Sequence, residues 1–153
     1  MADIVRSQRW AAIPLRLIVG YGFLAHGYAK LANPEKFTAI LQAIGVPAPY
    51  WMAWATIIVE IGGGLAVLLG AFIALASIPM IAVMLTAMFT VHLPYGFSSI
   101  KLQAVNAAGA HFGPPGYEVD LLYIASLLTL VAMGSGPWAV DSLICRRNGS
   151  LHS

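Results

Sequence analysis

The sequence predicts an all-α integral membrane protein built as a four-helix bundle, a single domain over residues 1–153, and three observations carry that reading. Hydrophobic residues make up 59% of the chain and charged residues only 9%, against about a quarter charged in soluble domains. Mean hydropathy is +0.81. Four apolar stretches, at residues 11–31, 50–70, 71–93 and 117–134, each approach the roughly 20 residues needed to cross a hydrocarbon core about 30 Å thick.

The first stretch begins too late, and holds Arg16 too deep, for a cleaved signal peptide, so it reads as a retained span. Asn33-Pro34 ends it, and a loop containing Glu35, Lys36 and Pro47-Ala48-Pro49 leads to the second. Tyr50, Trp51 and Trp54 suit a membrane interface. Gly62, Ala66 and Gly70 form a stripe of small residues for close helix approach, and the third span follows Gly70 in a tight hairpin. Pro79 predicts a kink in the third helix. Residues 94–116 are rich in Gly and Pro and predict a loop that folds over the bundle mouth. Glu118 and Asp120 stand where carboxylates favour the N-terminus of the last helix.

Charge narrows the function classes. The formal net charge is only +2, and the basic residues lie near segment ends, which excludes a nucleic-acid footprint. Arg6 and Arg9 precede the first span and Arg146 and Arg147 follow the last, while Lys36 and Lys101 fall in the opposite loops. Positive-inside bias therefore predicts two cytoplasmic termini. The single cysteine, Cys145, excludes an intrachain disulfide and multi-thiolate clusters, and its expected state is a free thiol. Asn148-Gly149-Ser150 fits a glycosylation acceptor that a cytoplasmic C-terminus would leave unmodified.

Ionisable residues inside apolar spans are the functional signal, because a charge in hydrocarbon is costly unless it is paired or lines a polar site. Arg16 and Glu60 form the candidate intramembrane pair. With each span starting at opposite faces, Arg16 lies roughly 8 Å deep and Glu60 roughly 15 Å deep, so their backbones differ by roughly 7 Å in height. An extended arginine reaches that far. A structural ion pair or a snorkelling arginine explains the same residues without a function.

A second constellation lies toward the outer side. His26 and Lys30 are four residues apart on the first helix, His92 ends the third, and His111 in the following loop could fold toward them. Imidazole changes charge near neutral pH and could hold a quinone carbonyl or relay protons. Structural readings compete here too: His92 complements a helix C-terminus, Lys30 snorkels to the interface, and His111 is solvated. No metal site is expected, since neither H-E-x-x-H nor a helical Glu-x-x-His pair occurs. Met80, Met84 and Met88 drift by about 40° per step around a helix and read as a packing stripe.

Several of these residues recur in motifs: Arg16-Leu17-x-x-Gly20-x-x-Phe23-x-x-His26-Gly27-x-x-Lys30, Glu60-x-Gly62-Gly63, Phe89-x-x-His92-Leu93-Pro94-x-Gly96-Phe97, and Gly134-x-Gly136 ahead of Asp141. On these the chain resembles the DoxX-like membrane proteins. The resemblance implies a four-helix protein of the bacterial inner membrane, in a family linked to thiosulfate and quinone oxidoreduction. One cysteine and the lack of a soluble catalytic domain argue against self-contained sulfur chemistry. The expectation is a quinone-associated membrane subunit of an oxidoreductase, in contact with lipid and a redox-enzyme partner, with His26, Lys30 and His92 as the quinone site and no catalytic residue assigned. The alternative is a non-catalytic structural or assembly module that recruits a redox partner. A solute carrier ranks third, because four spans form a pore only as a homo-oligomer and no inverted repeat is visible.

Overall fold

The computed structural model describes residues 10–142. Arg6, Arg9, Cys145, Arg146, Arg147 and Asn148, used above for orientation and modification, lie outside them.

Helix α1 (Ala12–Leu31) is followed by a short α2 (Pro34–Ala43), then α3 (Pro49–Leu69) and α4 (Ile73–Ala87), which runs on through a π-helical turn, Met88–His92, and a 3₁₀ turn, Leu93–Tyr95. A two-stranded antiparallel hairpin comes next, β1 (Leu102–Asn106) with β2 (Gly109–Phe112), before α5 (Glu118–Met133). The long helices coincide with the apolar stretches, but α2 and the hairpin replace what the sequence reads as loops. At α2, Asn33-Pro34 both ends α1 and starts a new helix: the Asn33 side chain accepts a hydrogen bond from the Lys36 amide at 3.0 Å, and Pro34 occupies the first helical turn. The hairpin turns between Asn106 and Gly109, where Asn106 Oδ1 accepts from the Ala108 amide at 2.9 Å.

Two helical segments are long and apolar enough to cross a membrane, Pro49–Leu69 and Ile73–Tyr95. Only 28% and 22% of their apolar windows are buried inside the protein. Outward faces carry Leu17, Ile18, Ile58, Leu75, Ile78 and Leu122, all exposed. A surface of that kind calls for an apolar solvent.

The core is a compact cluster of Ala12, Val19, Phe23, Val67, Ile73, Met80, Leu127 and Leu130, drawn from α1, α3, α4 and α5. Helices α1 and α3 touch backbone to backbone: a Cβ on Gly20 would stand 2.9 Å from the Gly64 carbonyl, and one on Gly64 the same distance from the Gly20 carbonyl. Gly62 has open space around it, so the close approach uses Gly64 rather than the expected stripe through Gly62. Met80 packs against Gly63, in keeping with a packing stripe along α4.

Candidate functional site: a cavity between two ion pairs

The contact of Gly20 with Gly64, and of Gly27 with Glu60 and Ile61, fixes the antiparallel register of α1 on α3. Glu60 is therefore level with Gly27, about eleven residues and roughly 16 Å along the axis from Arg16. The expected pairing of Arg16 with Glu60 does not form. Depth counted from span ends misses it, because the small-residue contact, not the span boundary, sets the register.

Arg16 instead closes the other end of the protein. It is buried, with 6% of its surface exposed, and its guanidinium donates to four backbone carbonyls: Val67 at 3.2 Å, Leu68 at 2.9 Å, Ser135 at 3.0 Å and Pro137 at 3.2 Å. The first two are orphan acceptors at the C-terminus of α3, where such groups need partners. Gly70 turns the chain there in a left-handed conformation, φ 68°, and Asp141 completes the joint: its Oδ1 accepts from the Phe72 amide at 2.9 Å and its own amide donates to the Gly70 carbonyl at 3.1 Å. Arg16, residues 135–137 and Asp141 thus form one clamp that ties α1, the α3–α4 turn and the segment after α5. Every group in it is satisfied from within the chain.

Glu60 finds a different cation. Lys30 Nζ donates to Oε1 at 2.7 Å and Oε2 at 2.6 Å, with Glu60 2% exposed. Lys30 Nζ also lies 5.2 Å from the centre of the Phe37 ring on α2, a cation–π contact. Two of its three N–H groups face Glu60, leaving one for another acceptor.

Across from this pair, at the end of α4, His92 Nδ1 lies 2.6 Å from Asp120 Oδ2 on the first turn of α5. Asp120 is buried, and the sequence reading assigns it no partner, since its helix N-terminal position already accounts for a carboxylate. With Nδ1 engaged, Nε2 is the nitrogen of His92 left to meet a ligand. The π-helical turn that ends α4 sets the ring in place.

Both pairs line a single cavity of about 740 Å³, together with His26. Phe23, Phe37, Leu41, Val83 and Tyr123 supply apolar wall. The structure thus gathers His26, Lys30, Glu60 and His92 and leaves Arg16 out. It also leaves out His111, which sits on the exposed strand β2 opposite Ala104. The hairpin holds its backbone extended and away from the cavity. Pro115 and Gly116 are the part of that segment that reaches the lining. Among the described residues no group of three His, Cys, Asp or Glu could hold a metal ion.

A helical protein with lipid-suited faces and a cavity flanked by two ion pairs is a membrane protein with a buried polar site. The DoxX family model matches residues 11–93, over half of the chain, and the chain belongs to the DoxX family. It is similar to an uncharacterized membrane protein of Mycobacterium tuberculosis, 29% identical over 145 residues that cover 90% of this chain and 83% of the relative. It is also similar to an uncharacterized protein of Haemophilus influenzae, 31% identical over 129 residues covering 84% of this chain and 86% of the relative. No solved structure matches it.

Proposed function

We propose that the chain is a four-helix protein of the bacterial inner membrane, with both termini cytoplasmic, and that its cavity binds a quinone as the membrane subunit of an oxidoreductase system. One observation carries the reading: a cavity of about 740 Å³, within the range of small-molecule sites, is apolar except where His26, Lys30–Glu60 and His92–Asp120 meet it.

A quinone has an apolar ring and two carbonyl acceptors, and that donor set suits it. The remaining N–H of Lys30 and a ring N–H of His26 are donors on one wall, one helical turn apart on α1. His92 stands on another wall, with Asp120 fixing the ring and its tautomer through Nδ1. Protonated, His92 donates through Nε2; neutral with Nδ1–H toward Asp120, it accepts there. The pair can therefore meet either a carbonyl or a hydroxyl and hold the proton that distinguishes them. Bound quinone would supply two-electron, two-proton chemistry, with the electrons delivered by a partner redox protein. Glu60 keeps Lys30 aimed at the cavity, and the apolar walls exclude water from the polar end.

The test is titration of detergent-purified protein with a quinone analogue. His26→Ala and His92→Ala are each expected to weaken binding by about tenfold, the worth of one hydrogen bond of about 1.4 kcal/mol. Undiminished binding in both variants removes the site assignment. An absence of binding to the unaltered protein favours the structural or partner-recruiting module instead.

A further inference from the structure

The cavity reaches the surface between helices, not only at its polar end. Ile40 and Ile44 of α2, Met52 and Ala55 of α3, and Ala82 and Thr86 of α4 all line it and are all exposed. These six side chains describe a mouth whose two long walls are α3 and α4, the segments apolar enough to cross a membrane.

The hydroxyls along this mouth need no water. Thr56 donates to the Met52 carbonyl at 2.8 Å, Thr86 to the Ala82 carbonyl at 2.9 Å, and Thr90 to the Thr86 carbonyl at 2.7 Å. An unsatisfied donor in hydrocarbon costs several kcal/mol, so threonines closed on their own helices suit an opening onto acyl chains. Small side chains at Ala55 and Ala82 leave room between the helices, whereas nearer the Gly70 turn Met80 fills the same interface against Gly63.

We infer that the gap between α3 and α4 is a lateral portal to the lipid, through which the long apolar tail of a lipid-borne quinone leaves the cavity while the ring stays at His26, Lys30 and His92. This rests on the quinone reading of the site and adds the substrate class: tailed, membrane-dissolved quinones rather than water-soluble ones. Ile40 and Ile44 place α2 at the rim of the portal, with Phe37 on the same helix against Lys30.

Two probes with the same benzoquinone ring test it, one without a tail and one with a decyl tail ending in a diazirine. In the unaltered protein, photolysis of the tailed probe is expected to label peptides spanning residues 40–56 and 82–90, and excess tailless probe should suppress the labelling. Ala82→Trp is expected to weaken the tailed probe by about tenfold or more and leave the tailless probe within about threefold. Labelling confined to residues 96–116, or equal loss of both probes in a folded Ala82→Trp protein, overturns the portal while the quinone site stands. Should Ala82→Trp not fold, the labelling of the unaltered protein decides alone. If neither probe binds the unaltered protein, the quinone reading itself falls, and the portal with it.

Discussion

Lys30→Met is the sharpest perturbation of the pair that replaces the expected one. Glu60 would then lie 2% exposed without the two hydrogen bonds that Lys30 now supplies. Stranding one member of a buried pair costs about 3–5 kcal/mol; with the Lys30 side chain 23% exposed, the lower end, about 3 kcal/mol, is expected. The reverse change is milder. In Glu60→Met the lysine keeps Phe37 and can extend toward water, so about 1 kcal/mol is expected. Replacing both removes the charges together and should also cost no more than about 1 kcal/mol. The double-mutant cycle therefore predicts a coupling of about 3 kcal/mol, measured by reversible unfolding in mixed detergent micelles. A coupling near 0.6 kcal/mol, the average for interhelical hydrogen bonds in a membrane, would refute an ion pair. The cycle joining Arg16→Met to Glu60→Met should instead be additive within about 0.5 kcal/mol, since Arg16 donates to carbonyls elsewhere.

Gly64→Ala forces a Cβ to 2.9 Å from the Gly20 carbonyl, and a loss of about 1–3 kcal/mol is expected by the same unfolding assay. Gly62→Ala, with open space around it, should be neutral or stabilising by up to about 1 kcal/mol. Asp120→Asn removes the carboxylate that orients His92 and should weaken quinone binding severalfold without unfolding the protein, whereas His111→Ala should leave both binding and stability unchanged. Asp141→Ala frees the Phe72 amide at the α3–α4 turn and should cost about 1–2 kcal/mol of stability with quinone binding retained.

How far the sequence carries this picture differs by residue. The long helices are legible because apolar length and Gly or Pro punctuation act locally. The start of α2 is legible too, since Asn33 and Pro34 have the chemistry of a helix cap and first turn, although the same dipeptide also reads as a stop. At the hairpin, Asn106 and Gly109 give the turn, but the Ala-rich strands lack the β-branched pattern that would announce them. His26, Lys30 and His92 are legible as a group because the first two share a helix and His92 ends another on the same side. The partner of Glu60 is not. It depends on the register that Gly20, Gly27 and Gly64 impose, and one sequence does not state which small residues meet. Asp120 is hidden for a related reason: a carboxylate at a helix N-terminus already has a local explanation, and only the packing of α4 beside α5 brings it to His92. The motif residues divide accordingly, with Arg16, Gly134-x-Gly136 and Asp141 at the clamp and His26, Lys30, Glu60 and His92 at the cavity.

The most direct test of a quinone held in this cavity is native mass spectrometry of the protein released from its own membranes, with the bound small molecules identified and then displaced by an added quinone analogue. The account predicts a quinone retained at one per chain by the unaltered protein and lost from His92→Ala. Protein that carries no quinone and takes up none when the analogue is added would contradict it.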